Sequence, residues 1–85
     1  MSKRKDYAVI LVENEDTCSI KKVSQNSFYQ IKDMKERGKD DGAIVKSIVE
    51  LNTSEDNIIS NGLSKKEAIE HVDKMGCDFL SLEIN

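Results

Sequence analysis

The fold of this chain is decided by Leu63-Ser64-Lys65-Lys66-Glu67-Ala68-Ile69-Glu70-His71-Val72-Asp73-Lys74-Met75-Gly76, a stretch that contains the signals for both ends of a helix. The Ser64 hydroxyl can accept a hydrogen bond from the backbone N–H of Glu67, and the Glu67 carboxylate can accept one from Ser64. Gly76 can take the left-handed conformation that ends a helix. The apolar residues between these signals share one helical face and comprise Ala68, Ile69, Val72 and Met75. We therefore predict an amphipathic helix here.

An earlier stretch, residues 27–38, has the same pattern in a weaker form. Ser27 and Gln30 have the spacing of a second capping box, and Gly38 follows as a second helix end. A polar turn between two apolar segments precedes each predicted helix. The pattern predicts an internal repeat of strand, turn, strand and helix, although this unit is common enough to recur by chance.

The other apolar segments have the length of strands. Residues 7–12 are an unbroken apolar run rich in β-branched side chains, which predicts a central strand that has cover on each side or lies at an interface. Residues 18–23 alternate between apolar and polar side chains, which predicts an edge strand, and residues 78–83 alternate as a half-buried strand does. Residues 43–51 are ambiguous, because their spacing fits a helix and their β-branched side chains fit a strand. The polar turn after them favours the strand.

The predicted element order is β-β-α-β-β-α-β in a single α+β domain. This domain spans residues 6–85 and follows a flexible basic tail, residues 1–5; a chain of 85 residues fits one domain. We expect a mostly antiparallel sheet with both helices packed on one face, because this arrangement buries both apolar stripes at the lowest cost. The other face would then be open to a partner.

The composition excludes several classes of protein. Charged residues make up 34% and hydrophobic residues 38% of the chain, which is typical of a small globular domain. No apolar run approaches the roughly 20 residues that cross a membrane, and the first residues lack the features of a signal peptide, so we expect a cytoplasmic protein. The lysine- and isoleucine-rich composition indicates a bacterial or phage source. Cys18 and Cys77 are too few for a disulfide framework, and the sequence leaves open whether they are close in space.

Residues that could support catalysis or bind a metal ion show no convincing pattern. His71 is the only histidine, with Glu67 one turn before it and Cys77 shortly after it. A structural zinc site needs four ligands at recognisable spacing, and the helix cap already uses Glu67. A Cys-His nucleophile pair would need an orienting third group, which the sequence does not indicate. We therefore predict a protein that is not an enzyme and has neither a metal ion nor a cofactor.

Acidic residues concentrate in the turns of the two predicted hairpins. If both turns fall on the same rim of the sheet, they form an acidic rim of Glu13, Glu15, Asp16, Glu55 and Asp56. Such a cluster would attract a basic protein partner. The leading hypothesis is a small protein-interaction module, a phage-type modulator or inhibitor of a host protein. The alternative interpretation of the cluster is that turns are simply polar.

The alternative function is weak binding of single-stranded nucleic acid on the open face of the sheet. Tyr7 and Phe79 would stack on bases, and basic residues at one end of the sheet would attract phosphates. These basic residues are Lys3, Arg4, Lys5, Lys21 and Lys22. The net charge of −3 argues against general attraction to nucleic acid. A homodimer through an exposed strand edge is as well supported as a monomer.

Overall fold

The computed structural model describes residues 7–52 and 58–84, so the predicted basic tail lies outside it. The described elements are β1 (Tyr7–Asn14), β2 (Thr17–Val23), α1 (Gln25–Glu36), α2 (Asp41–Ser47), α3 (Val49–Asn52), β3 (Ile58–Leu63), α4 (Lys65–Met75) and β4 (Asp78–Glu83). The strands form one mixed sheet in the order β3-β2-β1-β4. Residues 18–23 are therefore not the predicted edge strand, because β2 pairs with β1 on one side and β3 on the other. The β1–β2 and β2–β3 pairings are antiparallel, whereas β4 runs parallel to β1. The predicted single α+β domain is confirmed.

The central strand β1 divides the core into two layers. Its side chains alternate, so that Tyr7, Val9 and Leu11 belong to one apolar cluster and Ala8, Ile10 and Val12 belong to the other. All six are buried. The unbroken apolar run predicted a central strand with cover on each side, and the structure confirms it.

Helices cover both faces of the sheet. Phe28 and Ile31 of α1 pack on the Val9 side, together with α2 and α3. Ala68 and Val72 of α4 pack on the opposite side. The two predicted helices therefore do not share one face, because a strand that is apolar on both sides requires cover on both sides. The open sheet face that we expected is not present in the described part of the chain.

Residues 43–51 do not form the predicted strand: they belong to α2 and α3, which are separated by Ile48 in an extended conformation. Asp40 caps α2 by accepting a hydrogen bond from the backbone N–H of Gly42 at 3.1 Å. The buried side chains of this region have helical spacing and face the sheet; they are Ile44, Ile48 and Leu51. Burial of this stripe outweighs the weak preference of β-branched residues for strands.

Helix α1 begins one turn earlier than predicted. Ser24 is its N-cap, and the Ser24 hydroxyl accepts from the backbone N–H of Ser27 at 3.2 Å. The capping box predicted at Ser27 and Gln30 is therefore wrong. Because residues 43–51 are also helical, the described residues do not show the predicted internal repeat.

Helix α4 has the start and end that its sequence predicts. The Ser64 hydroxyl accepts from the Glu67 N–H at 3.2 Å, and the Glu67 carboxylate accepts from the Ser64 N–H at 3.1 Å. Gly76 follows the helix with a φ of 72°. Two residues of the predicted apolar stripe, Ile69 and Met75, remain 37% and 43% exposed.

Two side chains from the α1–α2 corner cover the outer edge of β4. Lys35 Nζ donates to the carbonyl of Ser81 at 3.0 Å, and Asp41 Oδ2 accepts from the backbone N–H of Glu83 at 2.8 Å. Lys35 Nζ and Asp41 Oδ1 are 3.3 Å apart. We call Lys35 and Asp41 the edge pair.

Candidate functional site

A groove of about 520 Å³ lies between the β1–β2 turn and the first turns of α4. Glu15 and Asp16 line one side of this groove. The opposite side is formed by α4 side chains, which include Lys65, Lys66, Ile69 and Glu70. Since Ile69 is half exposed here, the groove combines an apolar contact point with charged walls.

Hydrogen bonds fix the acidic turn in position. The backbone N–H of Asp16 donates to Asn14 Oδ1 at 2.9 Å, which is the local bond of an Asx turn. The backbone N–H of Lys65 donates to the carbonyl of Glu15 at 2.9 Å and so attaches the turn to the start of α4. The Cys18 thiol contacts the carbonyl of Asn14 at 3.6 Å. The acidic side chains are therefore presented from a backbone that is already ordered.

The groove carries charge of both signs. Lys65 and Lys66 stand across from Glu15 and Asp16, and Lys65 Nζ is 3.6 Å from Glu83 Oε1. The lysines partly balance the acidic turn, so the site is less purely acidic than the sequence predicted. A ligand that suits it has an apolar group for Ile69 and a basic group for the turn.

The predicted acidic rim is only partly within the described chain. Glu13, Glu15 and Asp16 are exposed and lie together at the β1–β2 turn. Glu55 and Asp56 lie outside the described residues, so their place in the rim stays a prediction. The sequence analysis does not predict that α4 contributes to this site. The signal for it is Lys65 and Lys66, directly after the helix cap, and Ile69 at the edge of the apolar stripe.

The residues of the nucleic-acid alternative do not form a common surface. Tyr7 is buried against Phe28 with ring centroids 4.8 Å apart, on the α1 side of the sheet. Phe79 pairs in register with Ala8 and packs on the α4 side. It also lines a second groove, of about 430 Å³. The two predicted stacking residues therefore lie on opposite faces and cannot form one platform.

The predicted basic end is also divided. Lys21 is buried, and its Nζ donates to the carbonyl of Leu51 in α3 at 2.7 Å. Lys22 is exposed on the same strand. Lys3, Arg4 and Lys5 lie outside the described residues. Lys21 thus holds α3 on the sheet, and its charge is not presented to a ligand.

The carboxylate of Glu50 joins α3 to the start of α1 through hydrogen bonds to two serines, which the sequence did not predict. Glu50 Oε2 accepts from the backbone N–H of Ser24 at 2.8 Å, and Oε1 accepts from the hydroxyls of Ser27 at 2.6 Å and Ser24 at 2.9 Å. Burial raises the pKa of Glu50, but these hydrogen bonds outweigh it and hold the pKa below its usual 4.5. Because two of these bonds come from Ser24, the N-cap of α1, the Glu50 carboxylate supports the start of that helix.

The two cysteines do not lie next to each other. Cys18 is opposite Val12 in the sheet, whereas Asp78, next to Cys77, is opposite Tyr7. Five residues of strand separate these positions, so the two cysteines are more than about 15 Å apart, too far for a disulfide. Burial raises the pKa of the Cys18 thiol.

Residues 7–52 and 58–84 contain neither a cluster of metal ligands nor a membrane-spanning helix. No three His, Cys, Asp or Glu side chains are grouped there as a metal ion would require. None of the helices described there has the length and apolar character needed to cross a membrane.

Comparison with known proteins assigns no family. No family model, no curated protein and no solved structure matches this chain.

Proposed function

We propose that this chain is a small, non-enzymatic protein-interaction module that binds its partner in the groove between the acidic turn and α4. The observation that carries the proposal is the ordered acidic turn beside the exposed Ile69. Preordered groups lose little conformational freedom on binding, so their contacts contribute more fully to affinity. An apolar anchor with charged groups around it is also the usual composition of a binding site.

The groove suits a particular kind of partner. A segment that places an apolar side chain over Ile69 and a lysine or arginine against Glu15 and Asp16 would match both features. A groove of this size favours a small and reversible interface. We place the protein in the cytoplasm as a modulator or inhibitor of a bacterial protein. Nucleic acid is not retained as a ligand, because Tyr7 and Phe79 lie on opposite faces of the sheet.

Charge reversal tests the acidic turn. The native chain is immobilised, partners are captured from bacterial lysate, and the affinity of each purified partner is measured by calorimetry. Reversing Glu15 and Asp16 to Lys should weaken binding at least about tenfold, because close charge pairs at interfaces contribute more than about 1.4 kcal/mol. The control reverses Glu36 and Asp73, two exposed acids away from the groove, to Lys.

The apolar contact is tested by a second matched comparison. Ile69→Ser removes the anchor of the groove, whereas Met75→Ser removes an equally exposed apolar side chain elsewhere on α4. We expect a loss of affinity of about tenfold for Ile69→Ser only, which corresponds to burial of one aliphatic side chain. Equal losses for the two variants, or no saturable partner at all, would reject the proposed function.

A further inference from the structure

The outer edge of β4 is a feature that the proposed function does not use. Ile84 donates its backbone N–H to the carbonyl of Val12 on β1 at 3.0 Å. Because successive residues of a strand direct their backbone groups to opposite sides, those of Ser81 and Glu83 point away from β1. They point to the position that a further strand would take. An edge of this kind is a template for pairing with another chain.

The edge pair occupies the two backbone groups that an added strand would need. In a parallel pairing, a residue of the added strand bonds to the two residues that flank the one opposite it. Its N–H donates to the carbonyl of the preceding residue, and its carbonyl accepts from the N–H of the following residue. Opposite Leu82, these groups are the carbonyl of Ser81 and the N–H of Glu83. Lys35 supplies the donor and Asp41 the acceptor. Two side chains thus take the place of one residue of a fifth strand.

The edge pair differs from an ordinary surface ion pair. The side chains of Lys35 and Asp41 are only 34% and 22% exposed. Besides contacting each other, each makes a hydrogen bond to the backbone of β4. The Arg37–Asp33 pair, also contributed by the α1 region, has a distance of 3.0 Å but is 77% and 57% exposed. Exposed pairs of that kind contribute little. The edge pair is therefore part of the covered edge of the sheet.

We infer that the edge pair prevents a second copy of this chain from pairing its own β4 with this edge. Two copies related by a twofold axis perpendicular to the sheet would present the same edge to each other in antiparallel orientation. An antiparallel strand needs the same carbonyl and N–H that the edge pair occupies. A second copy of this chain fits the position beside β4, because its own β4 edge has the complementary row of backbone donors and acceptors.

Removal of the edge pair tests this inference through the oligomeric state. The edge variant carries Lys35→Ala with Asp41→Ala, and the control carries Arg37→Ala with Asp33→Ala; both leave the net charge at −3. Light scattering after gel filtration should show the mass of the edge variant rising twofold from 9.6 kDa with concentration, while the control stays at 9.6 kDa. A folded edge variant that remains monomeric overturns the inference, and so does a native dimer paired through β4.

Hydrogen exchange gives a second test that does not depend on the double variant folding. Asp41→Asn keeps an oxygen near β4 but removes the charge that strengthens its hydrogen bond. The Glu83 amide should then exchange roughly tenfold faster, as expected for weakening a charge-assisted bond. The Ile84 amide, which donates to Val12, should keep its rate. Equal acceleration at both amides, or no change at Glu83, overturns the inference.

Discussion

At the scale of single residues, Glu50 connects two helices that are distant in the sequence. Its two oxygens accept three hydrogen bonds from Ser24 and Ser27, which lie more than 20 residues earlier in the chain. The carboxylate therefore caps a helix to which it does not belong. Its negative charge also lies at the N-terminal end of α1, where the helix dipole makes negative charge favourable.

Replacing Glu50 by Gln should lower the free energy of unfolding by an amount that depends on pH. The folded-state pKa of Glu50 is lowered, so its contribution is full above the unfolded pKa and is lost as pH falls through the folded pKa. We expect Glu50→Gln to lower the free energy of unfolding by about 1 kcal/mol at pH 7. The difference from the native chain should shrink below pH 4.5, in urea titrations between pH 7 and pH 3.

The matched control for this prediction is Glu36→Gln, at an exposed acid in the last turn of α1. It should change the free energy of unfolding by less than about 0.5 kcal/mol at any pH in this range. A difference between the native chain and Glu50→Gln that grows on acidification would contradict the proposed role of Glu50.

At the scale of elements, those determined by nearby residues could be predicted from the sequence, whereas those determined by distant contacts could not. The start and end of α4 were predictable, because Ser64, Glu67 and Gly76 act within one helix. The N-cap of α1 was misplaced by one turn, since the contact that favours Ser24 comes from Glu50 in a distant helix. Residues 43–51 were read as strand because burial of Ile44 and Ile48 against the sheet is not a local property.

The end of α4 gives a prediction for glycine. Gly76 has a φ of 72°, and a Cβ added there would meet no atom within 4 Å. The penalty for Gly76→Ala is therefore conformational, and we expect a loss of about 1 kcal/mol in urea unfolding monitored by circular dichroism. Gly76→Asn should lose less, because asparagine tolerates the left-handed conformation. An alanine variant as stable as the native chain would be inconsistent with this helix end.

At the scale of the whole molecule, cover on both faces of the sheet changes where function is sought. The sequence predicted the fold class and the central strand, and two of its predicted rim residues, Glu15 and Asp16, line the groove. It did not predict the groove, because the groove exists only where the hairpin turn meets α4. The unbroken apolar run of β1 already indicated burial on both sides, and the open-face hypothesis conflicted with that signal.

The separation of the cysteines gives a prediction for the intact molecule. Cys18 and Cys77 are both reduced and buried, more than about 15 Å apart. The thermal midpoint should therefore be the same, within about 1 °C, with and without a reductant, because no disulfide constrains the unfolded chain. Thiol titration should find slow reaction in the native state and rapid reaction of two thiols in urea. Loss of both thiols on mild oxidation of the monomer would contradict this.

The parallel pairing of β1 with β4 has a consequence for the order of folding. β1 joins β2 through a two-residue turn, but Tyr7 and Asp78, which face each other in the β1–β4 pair, are 71 residues apart. The hairpin can close within about 10 μs, whereas the parallel pair must first close a long loop. One side of β1 therefore stays unpaired until late in folding. That interval is when the chain is most exposed to mispairing and aggregation.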